Sequence, residues 1–240
     1  MLFNKRRSKI EKIAHEQRKG APLFTYTKPD ANNSERIRML RTNLEYVHVG
    51  EELTSIAVTS SIPGEGKSTV SANLAVSLGA TGKKVLLIDT DLRRPTVHKT
   101  FQVSNVPGIS DLILNPSLPL SDLMCYKEDL KIYILPAGVL PPNPSELLAS
   151  VNMKKIMGEL EKHFDYIIYD VPPINSVTDP QIIASRVDGV ILVVRSGYVQ
   201  KDEVRKSRTA LENVEARMLG CVLNDVPMDQ DDKYYYYKKE

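Results

Sequence analysis

Residues 55–78 limit the possible folds more than any other stretch of the chain. Ser55–Thr59 (SIAVT) reads as a strand, and a helical segment with Val70, Leu74 and Leu78 on one face begins shortly after it. Between them runs Ser60-Ser61-Ile62-Pro63-Gly64-Glu65-Gly66-Lys67-Ser68-Thr69. A strand, a glycine-containing turn and a helix that opens on Lys-Ser form the context a Walker A loop requires. The glycines let backbone N–H groups turn inward around phosphate oxygens, and the helix N-terminus adds its positive end. Lys67 can reach the β- and γ-phosphates, and the Ser68 hydroxyl can ligate Mg²⁺. The strict pattern begins with Gly, and here that position is Ser61. An ordinary glycine-containing turn is the weaker reading, because Gly66-Lys67-Ser68-Thr69 sits where the chemistry needs it.

The same alternation continues along the chain. Lys84–Asp89, Ile132–Leu135, Tyr166–Tyr169, Val190–Val194 and Leu219–Leu223 are short, nearly continuous apolar runs, like strands covered on both faces. Amphipathic stretches at Pro144–His163, Asp179–Arg186 and Gln200–Val214 lie between them. Strand–helix alternation at this spacing implies parallel strands with right-handed crossovers. The expected fold is therefore α/β, a P-loop NTPase with a mostly parallel central sheet flanked by helices on both faces. The expected organisation is a basic flexible leader over 1–33, one domain over 34–226 that begins with a helix at 34–47, and a polar flexible tail over 227–240.

Composition excludes several classes. Lys+Arg 32 against Asp+Glu 30 in 240 residues gives a net charge of +2. A dedicated nucleic-acid binder is usually strongly basic, so no nucleic-acid partner is expected. Apolar runs such as Val190–Val194 are five residues long, against the roughly 20 a membrane-spanning helix needs. The N-terminus lacks the apolar core of a signal peptide. Cys125 and Cys221 are too few for a disulfide scaffold and fit a reduced, cytoplasmic compartment. His15, His48, His98 and His163 show no metal-ligand spacing. Residues 1–20 hold seven Lys/Arg and two Glu. That cluster reads either as a solvated terminus or as a patch drawn to anionic lipid.

Two further acidic motifs end strands. Asp89-Thr90-Asp91-Leu92-Arg93 places two carboxylates just past one apolar run, and Asp170-Val171-Pro172-Pro173 places a third after another. A single Asp at a strand end is more often a turn or helix cap. Ligands in parallel sheets collect at the carboxyl ends of strands, so with a P-loop nearby all three are expected to face one phosphate site.

These residues resemble the bacterial tyrosine kinases, the BY-kinase family, which includes the cytoplasmic kinases of capsule and exopolysaccharide gene clusters. The likeness spans about residues 34–240. Ser60–Ser68 is similar to the family's Walker A, which also lacks the first Gly. Asp89-Thr90-Asp91-Leu92-Arg93 resembles its Walker A′ motif, and Tyr169–Pro173 its Walker B. Glu35, Arg38 and Arg41 match its E-x-x-R-x-x-R oligomerisation motif, and Tyr234, Tyr235, Tyr236 and Tyr237 resemble its C-terminal tyrosine cluster. From the residues alone, Glu35, Arg38 and Arg41 equally suit a solvated helix face with local ion pairs. Partition and septum-positioning ATPases share the fold but carry a signature Lys early in the loop, where this chain has Ile62.

The resemblance implies an ATP- and Mg²⁺-dependent protein-tyrosine kinase that phosphorylates its own tail between subunits of a ring and regulates polysaccharide synthesis and export. It implies protein tyrosine substrates and a separate transmembrane activator of the polysaccharide co-polymerase type, which recruits the kinase to the inner face of the membrane. Ser61 to Thr69 would cradle the phosphates, and Asn224 would contact the base. Ser68, Asp89, Asp91 and Asp170 would hold the metal, partly through water. Tyrosine has a pKa of about 10, so a carboxylate must take its proton as the new bond forms. Asp89 is first choice by resemblance; Asp91 shares that role or holds the metal. Arg93 steadies transferred phosphate or acceptor, or makes a surface ion pair. Four consecutive tyrosines suit a tail that presents them in turn, with an aromatic adhesive or an edge strand as the other readings. A partition-type ATPase switch and an ATP-regulated scaffold are the alternatives for the whole chain.

Overall fold

The computed structural model of the protein describes residues 20–46 and 53–227. The basic cluster from Lys5 to Lys19 and Tyr234 to Tyr237 lie outside the described residues. The described residues build one seven-stranded sheet. Its strands are β1 (Ser55–Ser60), β2 (Val85–Asp89), β3 (Cys125–Lys127), β4 (Ile132–Leu135), β5 (Tyr166–Asp170), β6 (Gly189–Arg195) and β7 (Met218–Asn224). The order is β3-β4-β2-β5-β1-β6-β7. Every pairing is parallel except β3 with β4.

Alternating residues of the central strands feed two cores. Ala57, Leu86, Ile88, Ile167, Tyr169 and Val190 face one side, where they meet helices Ile109–Leu114, Val151–Leu160 and Asp179–Ala184. Ile56, Val58, Val85, Leu87, Ile168 and Ile191 face the other, against helix Lys67–Gly79. That helix is buried at every residue from Val70 to Gly79. Its Ala- and Ser-rich sequence gives it little bulk, so helix Asn32–Tyr46 packs over it while it lies on the sheet. The P-loop thus leaves a strand and enters a helix that are both rigid.

The structure departs from the sequence expectations in several places. Strand β3 is a short antiparallel edge with no fully buried residue, too brief to leave a pattern. The stretch 144–163 is two helices, Pro144–Ala149 and Val151–Leu160. Ser150 divides them because its Oγ accepts the Met153 N–H at 3.2 Å as an N-cap. Helical structure also begins before residue 34, with Phe24–Thr27 and Asn32–Tyr46. Helix Phe24–Thr27 is tied to the P-loop helix through Asn73, whose Oδ1 accepts the Thr25 N–H at 3.0 Å and whose Nδ2 donates to Pro22 O at 2.8 Å. Among the described residues, no helix is long and apolar enough to cross a membrane.

Candidate active site

The loop after β1 is shaped by its own glycines and Glu65 and by residues at the ends of β6 and β7. Gly64 and Gly66 have φ of 88° and 98°, a backbone that L side chains rarely adopt. A Cβ at Gly66 would also strike the Asn224 side chain. Glu65 is fully buried. Its Oε2 accepts the Ile62 N–H at 2.8 Å, and its Oε1 accepts the Arg195 N–H at the end of β6 at 3.1 Å. Burial pushes the Glu65 carboxyl up, and backbone N–H groups of Ile62, Arg195 and Ser61 oppose that shift. Arg195 donates to Gly64 O at 3.1 Å, the Tyr198 hydroxyl to Pro63 O at 3.1 Å, and Asn224 Nδ2 to Glu65 O at 2.9 Å.

Strand register brings the acidic motifs together. Asp89 and Asp170 are Cα partners at the ends of β2 and β5, beside the loop that leaves β1. Lys67 Nζ lies 3.0 Å from Asp91 Oδ2, 3.5 Å from Asp170 Oδ1 and 3.3 Å from Ser68 Oγ. Burial alone would lower the Lys67 pKa. The charges of Asp170, Asp91 and Asp89 outweigh it and hold the ammonium above its ordinary value. With one cation beside them, burial favours the protonated form of Asp89 and Asp170. Burial, then the Asp170 charge, pushes Asp89 up to about 8. Burial also raises Asp170, against the pull of Lys67.

The carboxylates have different surroundings. Asp89 Oδ1 accepts the Asp91 N–H at 3.1 Å, and Oδ2 accepts the Thr96 and Val97 N–H groups at 2.9 and 3.0 Å. It therefore shapes the loop after β2 as well as facing Lys67. Asp91 Oδ1 accepts the Arg94 N–H at 3.0 Å. Ser71 donates to Asp170 Oδ1 at 3.1 Å, while Asp170 Oδ2 and Ser61 Oγ are buried without a partner. Those two orphaned oxygens, the positive-φ glycines and the Lys67–Ser68 pair fit a nucleoside triphosphate with Mg²⁺. Among the described residues, no group of three or more His, Cys, Asp or Glu is arranged to hold a metal ion unaided. The metal set expected from Ser68, Asp89, Asp91 and Asp170 therefore needs phosphate or water oxygens to complete it.

Other expected residues lie elsewhere. Arg93 Nε donates to Asp179 Oδ2 at 2.8 Å and Nη2 to Asp179 Oδ1 at 3.2 Å; its partner is fully buried, so the pair is not the surface one expected as the alternative. Glu35 and Arg38 pair within their helix at 2.6 Å. Arg41 turns inward, donating to Ser77 O at 2.9 Å. Ile62, where partition ATPases carry Lys, contributes its backbone N–H to Glu65. Ser71, Asp179, Ser145 and Arg195 went unnoticed in the sequence. Ser71 had a usable signal, four residues after Lys67 on the same helical face. Asp179 had only a Thr-Asp-Pro helix start.

The AAA domain family model matches residues 53–219. The tyrosine-protein kinase YwqD of Bacillus subtilis is 40% identical over 215 residues, 90% of this chain and 90% of that protein. The putative tyrosine-protein kinase CapB of Staphylococcus aureus is 40% identical over 220 residues, 92% of this chain and 96% of that protein. The kinase domain of the Escherichia coli tyrosine kinase ETK superposes with a TM-score of 0.83 at 32% identity, covering 88% of this chain and 83% of that one.

Proposed function

The chain belongs to the bacterial tyrosine-protein kinases, and we propose that it transfers phosphate from ATP to tyrosines of its own tail, Tyr234 to Tyr237, and of other proteins. It is a protein-tyrosine kinase of the P-loop type, and its role lies in capsule or exopolysaccharide synthesis. The observation that carries the reading is Lys67 at the start of the P-loop helix, held between Asp91 and Asp170 with Asp89 in register beside them.

ATP would lie along residues 61–69, with Mg²⁺ on Ser68 and, through water, on Asp170. When bound, the nucleotide supplies the phosphoryl group and the metal neutralises its charge. Lys67 stays charged beside the three acids and would turn from them toward the more highly charged triphosphate. Gly64 and Gly66 let the backbone approach closely, and Glu65 keeps the loop in shape. Asn224 lies over Gly66 and would border the base. Asp89 takes the tyrosine proton. A carboxyl pushed to about 8 is partly protonated near neutral pH; its ionised fraction is a stronger base than an ordinary carboxylate, and Oδ1, which accepts one N–H, keeps a lone pair for the acceptor. The chain acts in the cytoplasm, in a ring of copies, recruited to the membrane by a separate transmembrane activator.

Incubating the purified full chain with labelled ATP and Mg²⁺, then mapping the label, tests this reading. Label on the tail tyrosines, abolished in Lys67→Met, is the expected result, since removing one transition-state contact costs about 100-fold or more. Wild-type protein with no phosphotyrosine would overturn the kinase reading. Undiminished phosphotyrosine in Lys67→Met would move the active site elsewhere.

A further inference from the structure

Asp179 opens helix Asp179–Ala184 and is completely buried. Both its oxygens are taken by side chains from other elements. Arg93 binds them as a fork, Nε to Oδ2 at 2.8 Å and Nη2 to Oδ1 at 3.2 Å. The Ser145 hydroxyl, on the helix that follows β4, donates to Oδ1 as well. Arg93 Nη2 also donates to Ser145 Oγ at 3.2 Å, and the Thr178 hydroxyl reaches the same Oγ at 3.2 Å. One buried carboxylate thus joins the segments that follow β2, β4 and β5.

Arg93 sits inside the turn that orients Asp91. Asp91 O and Oδ1 both accept the Arg94 N–H, at 3.2 and 3.0 Å, and Asp91 Oδ2 pairs with Lys67. The Arg93 side chain is 41% exposed, so without Asp179 it would keep only its bond to Ser145, and the turn would lose its anchor to the buried carboxylate. Stability alone does not demand such a pair, because an apolar pair of similar volume often serves as well. Apolar contacts have no preferred direction, whereas a two-bond fork fixes position and angle together.

The geometry points to Asp179 as a positioning residue. Through Arg93 and Ser145 it clamps the loop that carries Asp89 and Asp91, and so sets the rate of phosphoryl transfer rather than the affinity for nucleotide. This rests on the kinase reading above. Small misplacements of a reacting group are costly: about 1 Å corresponds to roughly 100-fold in rate.

The test compares wild type with Arg93→Met, Asp179→Leu and the double variant Arg93→Met/Asp179→Leu in the full chain. Three quantities are read: the melting temperature, the affinity for a non-hydrolysable ATP analogue with Mg²⁺, and kcat for phosphotyrosine formation. Each single variant leaves one charge unpaired and is expected to melt lower; the double variant removes both charges and recovers. In the recovered double variant, analogue affinity should stay within about twofold of wild type while kcat falls by about tenfold or more. Recovery of kcat together with melting temperature would overturn the proposal and leave the cluster a strut for stability. If the double variant does not fold, Arg93→Lys decides, because it keeps the charge without the fork. A lower kcat at unchanged melting temperature then supports the clamp, and an unchanged kcat overturns it. A wild type that forms no phosphotyrosine would instead defeat the kinase reading on which the clamp depends.

Discussion

Asp89 joins local structure to chemistry in one side chain. Three backbone N–H groups hold its oxygens, and burial with the nearby Asp170 charge pushes its carboxyl up to about 8. An unfolded Asp releases its proton near pH 4, so between about pH 4 and 8 the folded chain holds a proton that the unfolded chain has lost. A raised carboxyl contributes stability fully below the unfolded pKa and loses it as pH rises through the folded one. Without nucleotide, the protein should therefore lose stability as pH rises from about 4 to 8 and level off above that, by up to ~1.4 kcal/mol per pH unit for one proton. Asp89→Asn should flatten that profile in thermal melts at a series of pH values. Parallel profiles for mutant and wild type would place the proton on another group. In single-turnover assays, Asp89→Asn should slow transfer by at least about 100-fold with nucleotide affinity little changed. A normal rate in that mutant, with a slow Asp91→Asn, would assign proton removal to Asp91.

Helix Asn32–Tyr46 separates two arginines that its sequence presents alike. Arg38 stays on the outer side, paired with Glu35 and donating to Pro29 O at 2.9 Å. Arg41 crosses to the last turn of the P-loop helix and donates to Ser77 O. The final carbonyls of a helix lack intrahelical partners and carry its negative end, so a guanidinium satisfies them well. The two charge reversals should therefore differ. Arg38→Glu should reduce assembly size in light scattering without changing the melt. Arg41→Glu sets an anion against those carbonyls and should cost about 1–2 kcal/mol of stability. An Arg41→Glu protein that melts like wild type would show that the Ser77 bond contributes little, and an Arg38→Glu protein of unchanged size would remove that arginine from the subunit contact.

In the function proposed above, assembly and tail phosphorylation would be linked at the scale of the whole molecule. The run from Asp225 to Glu240 can extend about 50 Å at full stretch, enough to reach a neighbouring subunit's site. Each phosphotyrosine adds about −1.5 to −2 charge, and four would set that charge against the Asp89, Asp91 and Asp170 cluster. Repulsion within the Debye length of about 8 Å should expel a docked tail and loosen the ring. A variant with Phe at positions 234 to 237 should stay assembled in ATP and Mg²⁺, while wild type dissociates as it becomes phosphorylated. Size-exclusion chromatography distinguishes them. Equal elution of the Phe variant and fully phosphorylated wild type would mean that the tail does not govern assembly.

Local patterns in the sequence were sufficient for the central architecture. Five apolar runs and SIAVT mark six of the seven strands; for the inner strands the reason is that a strand covered on both faces must be apolar along its length, whereas β7 is an apolar edge strand with no buried residue, not the doubly covered strand its run suggests. The P-loop is legible for a similar reason: its chemistry is carried by consecutive residues and needs only a strand before them and a helix after. Strand β3 escaped because it is a three-residue edge strand with no buried residue, too short to leave an apolar pattern. Partner choice was decided by tertiary structure alone. Arg93 and Asp179 are 86 residues apart, and Glu65 and Arg195 are 130 apart. No periodicity connects such pairs. They meet because the order β4-β2-β5-β1-β6 sets the ends of separate strands side by side, and buried donors and acceptors there must pair with whatever that order brings within reach.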